Sequence, residues 1–230
     1  MKKFFTLPFN YRNYVVGGGW FYDPTDLIVQ SGGDVSHYSI DFDLPQNTPV
    51  LAAADGWALS SYHRRLVRNP SDKRKFIRLK GKLVGSAQGN FVIIYHPQQK
   101  LFTQYGHLER VLESIPFYEP HKGRGVAVPP TPKFQASFFG KKTACWVKRG
   151  EQIGWVGSTG IGEWVDSHIH FEVYQYRDKD GGKPKDSYLD PYDIRKSSKY
   201  YPWPSHQRKM GEKHLWLLNK DGLPAFPSSL

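Results

Sequence analysis

The chain has 230 residues, a net charge of +11 and a pI near 9.6, enough length to bury a core in one large or two small domains. Its excess of lysine and arginine draws it toward anionic polymers, whether nucleic acid, anionic membrane or bacterial wall, and charge alone does not choose among them. A single cysteine, Cys145, excludes an intramolecular disulfide and a cysteine-based zinc site, so any metal must be held by His, Asp or Glu.

Aromatic residues make up 15% of the chain, alongside 22 Gly and 17 Pro, a mix that favours many short strands over a helical bundle. The expectation is an all-β fold, mainly antiparallel, with a two-sheet or β-roll core, long loops and little helix. The N-terminus, "MKKFFTLPFNYRNYVVGGGW", begins like a secretion signal. Its apolar run is broken by Pro8, Asn10 and Arg12, and falls short of the ~7–15 residues of a signal core. No stretch approaches the ~20 apolar residues of a membrane span. The reading is a soluble chain whose signal has been removed or which is exported by another route.

Runs of alternating or β-branched residues predict strands over 37–43, 49–62, 90–96, 100–108, 151–157 and 168–176, with "YHPQQK" as a hairpin turn. Helical periodicity is weak everywhere; "SYLDPYDIRKSSKY" is the best candidate, and Pro191 interrupts it. Two segments read as insertions, 63–88 and 115–145. The first opens with "HRRLVRNPSDKRKFIRLKGK", nine Lys or Arg against one Asp; the second is rich in Pro, Gly and aromatics. Loops of this length are usually functional or disordered. From Tyr201 onward the tail has no readable period.

Two histidines in "DSHIHFEVY", His168 and His170, lie two apart on a predicted strand and therefore on one face. Upstream, "VSHYSIDFD" places His37 four residues before Asp41 in a sequence that alternates like a strand. If the strand begins near Ser39, His37 sits in the incoming loop and can bend back beside Asp41. With a third ligand from the histidine pair this makes a two-His, one-carboxylate site. Three protein ligands with water in the fourth position mark a catalytic zinc.

The segments "HYSIDFDLPQNTPVLAAADGWA", "YGHLERV", "VKRGEQIGWVGSTG" and "HIHFEV" occur in the order found in lysostaphin-type zinc endopeptidases, peptidoglycan hydrolases that this chain resembles over about 35–176. The resemblance implies one zinc ion per chain held by His37, Asp41 and His170, with His107 and His168 as catalytic histidines. It also implies a single metallopeptidase domain spanning 1–230, with atypical flanks at 1–34 and 177–230. The implied substrate is peptidoglycan, met outside the cytoplasm in periplasm, wall or medium. In the mechanism that follows, His168 helps zinc activate a water, and zinc with a protonated His107 stabilises the oxyanion. Departures from the pattern are Ser39 where a glycine is common, Ser167 where a proline is common, and a longer loop before the histidine pair.

By themselves, an H-x-H pair on a strand is most often solvent-facing and His107 a hydrogen-bonded, half-buried histidine; the motifs in register outweigh both readings. His63, His96, His121, His206 and His214 read as surface residues, His96 being the likeliest exception. "VGSTG" lacks the Lys and helix of a phosphate loop and reads as a tight turn. Cys145, in "TACWV", reads as buried rather than reactive. Glu172, two beyond His170 on the same face, reads as structural, with contact to the metal ligand as the minor alternative. The basic run reads as a solvated loop or a contact for anionic wall polymer; no nucleic-acid recognition module is recognisable. Two rival functions remain. One is a two-His, one-carboxylate iron enzyme, which would leave His107 and His168 without a role. The other is a silent or autoinhibited wall-binding relative, with 115–145 as the plug.

Overall fold

Short runs of β-forming residues between turn residues produce eleven strands among the described residues: β1 (Val15–Gly18), β2 (Ile40–Asp43), β3 (Pro49–Leu51), β4 (Gly56–His63), β5 (Arg78–Leu79), β6 (Lys82–Leu83), β7 (Gly89–His96), β8 (Leu101–Val111), β9 (Cys145–Val147), β10 (Gln152–Val156) and β11 (His168–Gln175). The structure is a computed structural model and describes residues 2–18, 39–63, 78–79, 82–83, 88–117, 139–160, 167–175, 188–193 and 210–229. Nine strands form one antiparallel sheet in the order β1-β2-β11-β8-β7-β4-β9, and β10 joins it by pairing with both β3 and β8. Among the described residues β5 and β6 pair only with each other. Among the described residues there is no α-helix, only a 3-10 turn at Pro227–Ser229, so the fold is all-β and antiparallel as the composition implied.

Alternation along β11 sets the two faces of the sheet. Ile169, Phe171 and Val173 are fully buried on one side, and His168, His170, Glu172 and Tyr174 share the other. Register carries this across the neighbours: Phe171 lies opposite Tyr105 and Ile169 opposite Phe42, while His170 lies opposite Gly106 and Asp41.

The two flanks contribute to the core under the first face. Phe5, Leu7, Phe9 and Trp216 are fully buried there with Phe42, Tyr105 and Phe171. Phe171 stacks on Trp216 with centroids 5.7 Å apart, and Phe5 meets both rings edge-on or tilted. Each such ring, fully buried, stabilises the fold by about 1.5–3 kcal/mol. Of the tail that showed no period, the described residues 210–229 carry turns and isolated bridges; Phe5 and Trp216 form a parallel bridge and Leu217 N–H donates to Phe5 O. Their packing fastens the sheet from behind and leaves the histidine face to the site.

Differences from the sequence reading have local causes. The single strand expected over 49–62 breaks at Ala52–Asp55, where Ala53 N–H donates to Tyr105 Oη instead of a strand partner. β1 and β9 were not foreseen and form the two ends of the main strand order. The weak helical candidate over 187–200 is not helical at 188–193, where Tyr188 bridges Tyr174 and Asp190 Oδ1 caps a turn at Tyr192 N–H; 194–200 lie outside the described residues. His214 is buried rather than on the surface, as is His96, the exception the sequence reading allowed, and His121 and His206 lie outside the described residues. Of the second insertion, Phe117 bridges Ser60, Phe139 packs on Phe102 on the histidine side of the sheet, and 118–138 lie outside the described residues.

Candidate metal centre

Strands β2 and β11 bring Asp41 opposite His170, and the two side chains meet, His170 Nδ1 lying 2.9 Å from Asp41 Oδ1. The other ring nitrogen, Nε2, is 3.1 Å from Glu172 Oε1. Ser39 Oγ is a further neighbour of Nδ1 at 3.1 Å. Burial of His170 works against charge on the ring, but Asp41 and Glu172 outweigh it and raise its pKa to about 10. Without a metal the ring is thus a cation held between two carboxylates. The side chains of His170 and Asp41 remain 14% and 19% exposed, so solvent and small ions reach them.

The described donors suit a metal ion such as zinc. A tetrahedral ion with ~2.0–2.1 Å bonds holds its donor atoms about 3.3 Å apart, close to the separation of the Asp41 oxygen and the His170 nitrogen. A carboxylate on the far nitrogen, as Glu172 provides, is the usual companion of a metal-binding histidine. His37 lies outside the described residues, and among these no group of three or more His, Cys, Asp or Glu converges closely enough to hold a metal.

His107 reaches the same place by a β-bulge. β7 and β8 pair Val92 with Tyr105 but Asn90 with Leu108, so β8 carries one extra residue at Gly106–His107. His107 takes φ = 61°, a left-handed value that a non-glycine residue adopts at a cost of about 1–3 kcal/mol. Regular alternation would send its side chain to the core; the bulge turns the ring toward His168 and His170, at centroid distances of 4.6 and 5.5 Å. Its Nδ1 lies 2.8 Å from the carbonyl oxygen of Thr159. A carbonyl only accepts, so Nδ1 carries the proton and Nε2 is left as the acceptor. Burial first, then the neighbouring His168 and His170, hold its pKa well below the usual histidine value. The direction of that shift favours the neutral ring. His168 is buried beside it, its own backbone N–H donating to Gly157 O at 3.2 Å.

The structure brings together four of the five expected site residues, Asp41, His107, His168 and His170. The departures have structural uses. Ser39 is not in the positive-φ region, so no glycine is needed there, and its hydroxyl faces the His170 ring. Ser167 Oγ donates to Leu44 O at 2.6 Å and fastens the entry of β11 to the end of β2. "VGSTG", running on from the end of β10, holds the bulge through Thr159: its Oγ1 donates to Leu108 O and accepts from Asn90 N–H, while its carbonyl meets His107. Gly89 is required beside it, with φ = +62° and a Cβ that would collide with Thr159. Gln88, Gln104 and Thr159 were missed by sequence reasoning, because a polar residue next to a motif carries no signature of its own. Cys145 is half-buried on β9, and burial raises its thiol pKa, so it is not an activated nucleophile.

No family model matches this sequence, and no curated protein does. Solved structures similar to the chain include the catalytic domain of the antimicrobial peptidase lysostaphin from Staphylococcus simulans, 19% identical, covering 80% of this chain and 94% of that one, with a TM-score of 0.43. A mutant catalytic domain of the prophage-encoded M23 protein EnpA from Enterococcus faecalis is 18% identical over 81% of this chain and 95% of its own, at 0.42. A zinc-containing peptidase from Vibrio cholerae is 22% identical over 75% of this chain and 37% of its own, also at 0.42. At TM-scores below 0.5 these likenesses carry no inference about activity, and the reading of the site stands on its residues.

Proposed function

We propose that this chain is a zinc-dependent endopeptidase that hydrolyses amide bonds in peptidoglycan stem peptides or cross-bridges. The observation that supports it most is the meeting of Asp41 and His170 at 2.9 Å beside the paired rings of His107 and His168, from three motifs distant in sequence. Asp41, His170 and, from the resemblance, His37 would hold one zinc ion, which supplies Lewis acidity to the scissile carbonyl and acidity to a bound water. His107, neutral and with Nδ1–H committed to Thr159, offers Nε2 to take the proton of the attacking water. His168, whose ring lies against His107, is placed to hold or return a proton toward the leaving amine. Glu172, Gln88 and Gln104 complete the floor of the site on the same sheet face.

An enzyme with this substrate works outside the cytoplasm, and the basic run within 63–88 then has anionic wall polymer within reach. The deciding experiment incubates purified, zinc-loaded protein with peptidoglycan and analyses the released fragments by mass spectrometry, with His170→Ala as the blank. Fragments from the wild type alone are expected. Identical cleavage by both proteins would refute the zinc mechanism, and no cleavage of any wall type would favour the silent or autoinhibited relative.

A further inference from the structure

Glu172 is more tightly held than any role in strand packing requires. Its side chain is 10% exposed, and both carboxylate oxygens have donors. Gln88 Nε2 donates to Oε1 at 2.7 Å, Gln104 Nε2 donates to Oε2 at 3.2 Å, and Oε1 also faces His170 Nε2 at 3.1 Å. The three partners come from different places in the chain. Gln104 lies directly opposite Glu172 on β8, His170 lies two residues away on β11, and Gln88 arrives from the residue just before β7.

The orientation of Gln88 marks the carboxylate as the object of the arrangement. Its amide turns its nitrogen to Glu172 and leaves its own oxygen buried without a hydrogen-bond partner. That oxygen lies over Gly106, where a Cβ would be 2.3 Å away. The missing side chain at Gly106 is thus the space into which Gln88 fits. A buried orphan acceptor is unfavourable, and it is accepted here in exchange for a short bond to an ionised group.

A carboxylate acceptor on Nε2 fixes that nitrogen as the protonated one. Nδ1 is then left as the lone-pair donor, aimed at Asp41 and the place where a metal would sit. We infer that Glu172, clamped by Gln88 and Gln104, is a positioning residue that sets the tautomer and ring angle of His170 for metal binding. It touches neither substrate nor metal. This rests on the reading of Asp41 and His170 as zinc ligands.

The test is zinc affinity, measured by chelator competition at pH 7.5 on the full chain for wild type, Glu172→Gln, Gln88→Met and Asp41→Ala. Cobalt absorption provides a second readout of ligand geometry, and circular dichroism a check on folding. Glu172→Gln keeps an acceptor but loses the charge, and its zinc dissociation constant is expected to rise about 10- to 100-fold with an altered cobalt band. Gln88→Met, remote from the ligands, removes one bond to the carboxylate and is expected to cost about 2- to 10-fold. Asp41→Ala loses more than either. A merely structural role would lower the folded fraction and leave the affinity and cobalt band of the folded protein at wild-type values. An affinity within about twofold of wild type in Glu172→Gln overturns the assignment. So does a loss as complete as that of Asp41→Ala, because Glu172 would then be a ligand. Wild-type protein that binds no zinc would instead refute the underlying metal reading.

Discussion

His96, at the end of β7, has no exposed surface, yet it carries a titratable ring. Its Nδ1 lies 2.8 Å from Asp55 O, so that nitrogen bears the proton, and Nε2 accepts from Thr103 Oγ1 at 2.9 Å. Thr103 Oγ1 also lies 3.1 Å from Tyr105 Oη, which accepts Ala53 N–H. Both ring nitrogens are satisfied with the imidazole neutral. Burial, the largest influence, accordingly lowers its pKa from 6.5 to about 4. The native ring stays neutral where the unfolded one takes a proton, so the unfolded state binds more protons below pH 6.5. The resulting stability is fully present above pH 6.5, is lost as the pH falls toward 4, and changes little below that. The gap of about 2.5 pH units, at about 1.4 kcal/mol per unit, makes a contribution of about 3 kcal/mol.

His96→Asn removes the titration and keeps an N–H that reaches Asp55 O. Urea unfolding of metal-free protein at pH 7.5, 6.5, 5.5 and 4.5 measures both proteins. His107, also held below its usual pKa by burial, weakens both with the same sign, so the difference between the curves isolates His96. Wild type is expected to lose about 2.5 kcal/mol more than His96→Asn between pH 7.5 and 4.5. Parallel curves would refute the neutral, chained histidine.

At the site, a zinc ion must displace the Nδ1 proton of His170, whose pKa near 10 reflects burial outweighed by Asp41 and Glu172. Calorimetry in buffers of different ionisation enthalpy is expected to record about one proton released per zinc at pH 7.5, with affinity rising about tenfold per pH unit from 7 to 9; no proton release would contradict that geometry. The left-handed φ of His107 favours Asn over a β-branched residue. His107→Val is expected to melt about 3–6 °C below His107→Asn, for about 1–2 kcal/mol of backbone strain, while both lose turnover; equal midpoints in calorimetry would show the strain to be absent.

What the sequence disclosed follows from what leaves a periodic trace. The strand carrying His168 and His170 was readable because Ile169, Phe171 and Val173 alternate with polar residues, and that alternation also placed both histidines on one face. The flanks left no trace: Phe5 and Trp216 sit in chain without regular sheet pairing, so their burial depends on distant partners. The break after Leu51 was invisible because it depends on a hydroxyl from Tyr105, two strands away. Glu172 could be placed on the right face, but its clamp depends on glutamines that only the register of β8 and the approach to β7 bring near.

The bulge in β8 explains why two kinds of histidine coexist on one sheet. A regular β8 would place Gly106 opposite His170 and send the next side chain into the apolar core beside Phe42 and Phe171. The extra residue keeps Gly106 at that position, where its missing side chain admits Gln88, and returns His107 to the site face. One local irregularity thus supplies both the clamp on the ligand strand and the neutral acceptor beside it. Thr159 and Gly89, which hold the bulge from the neighbouring turn and strand, belong to the chemistry as much as the rings do.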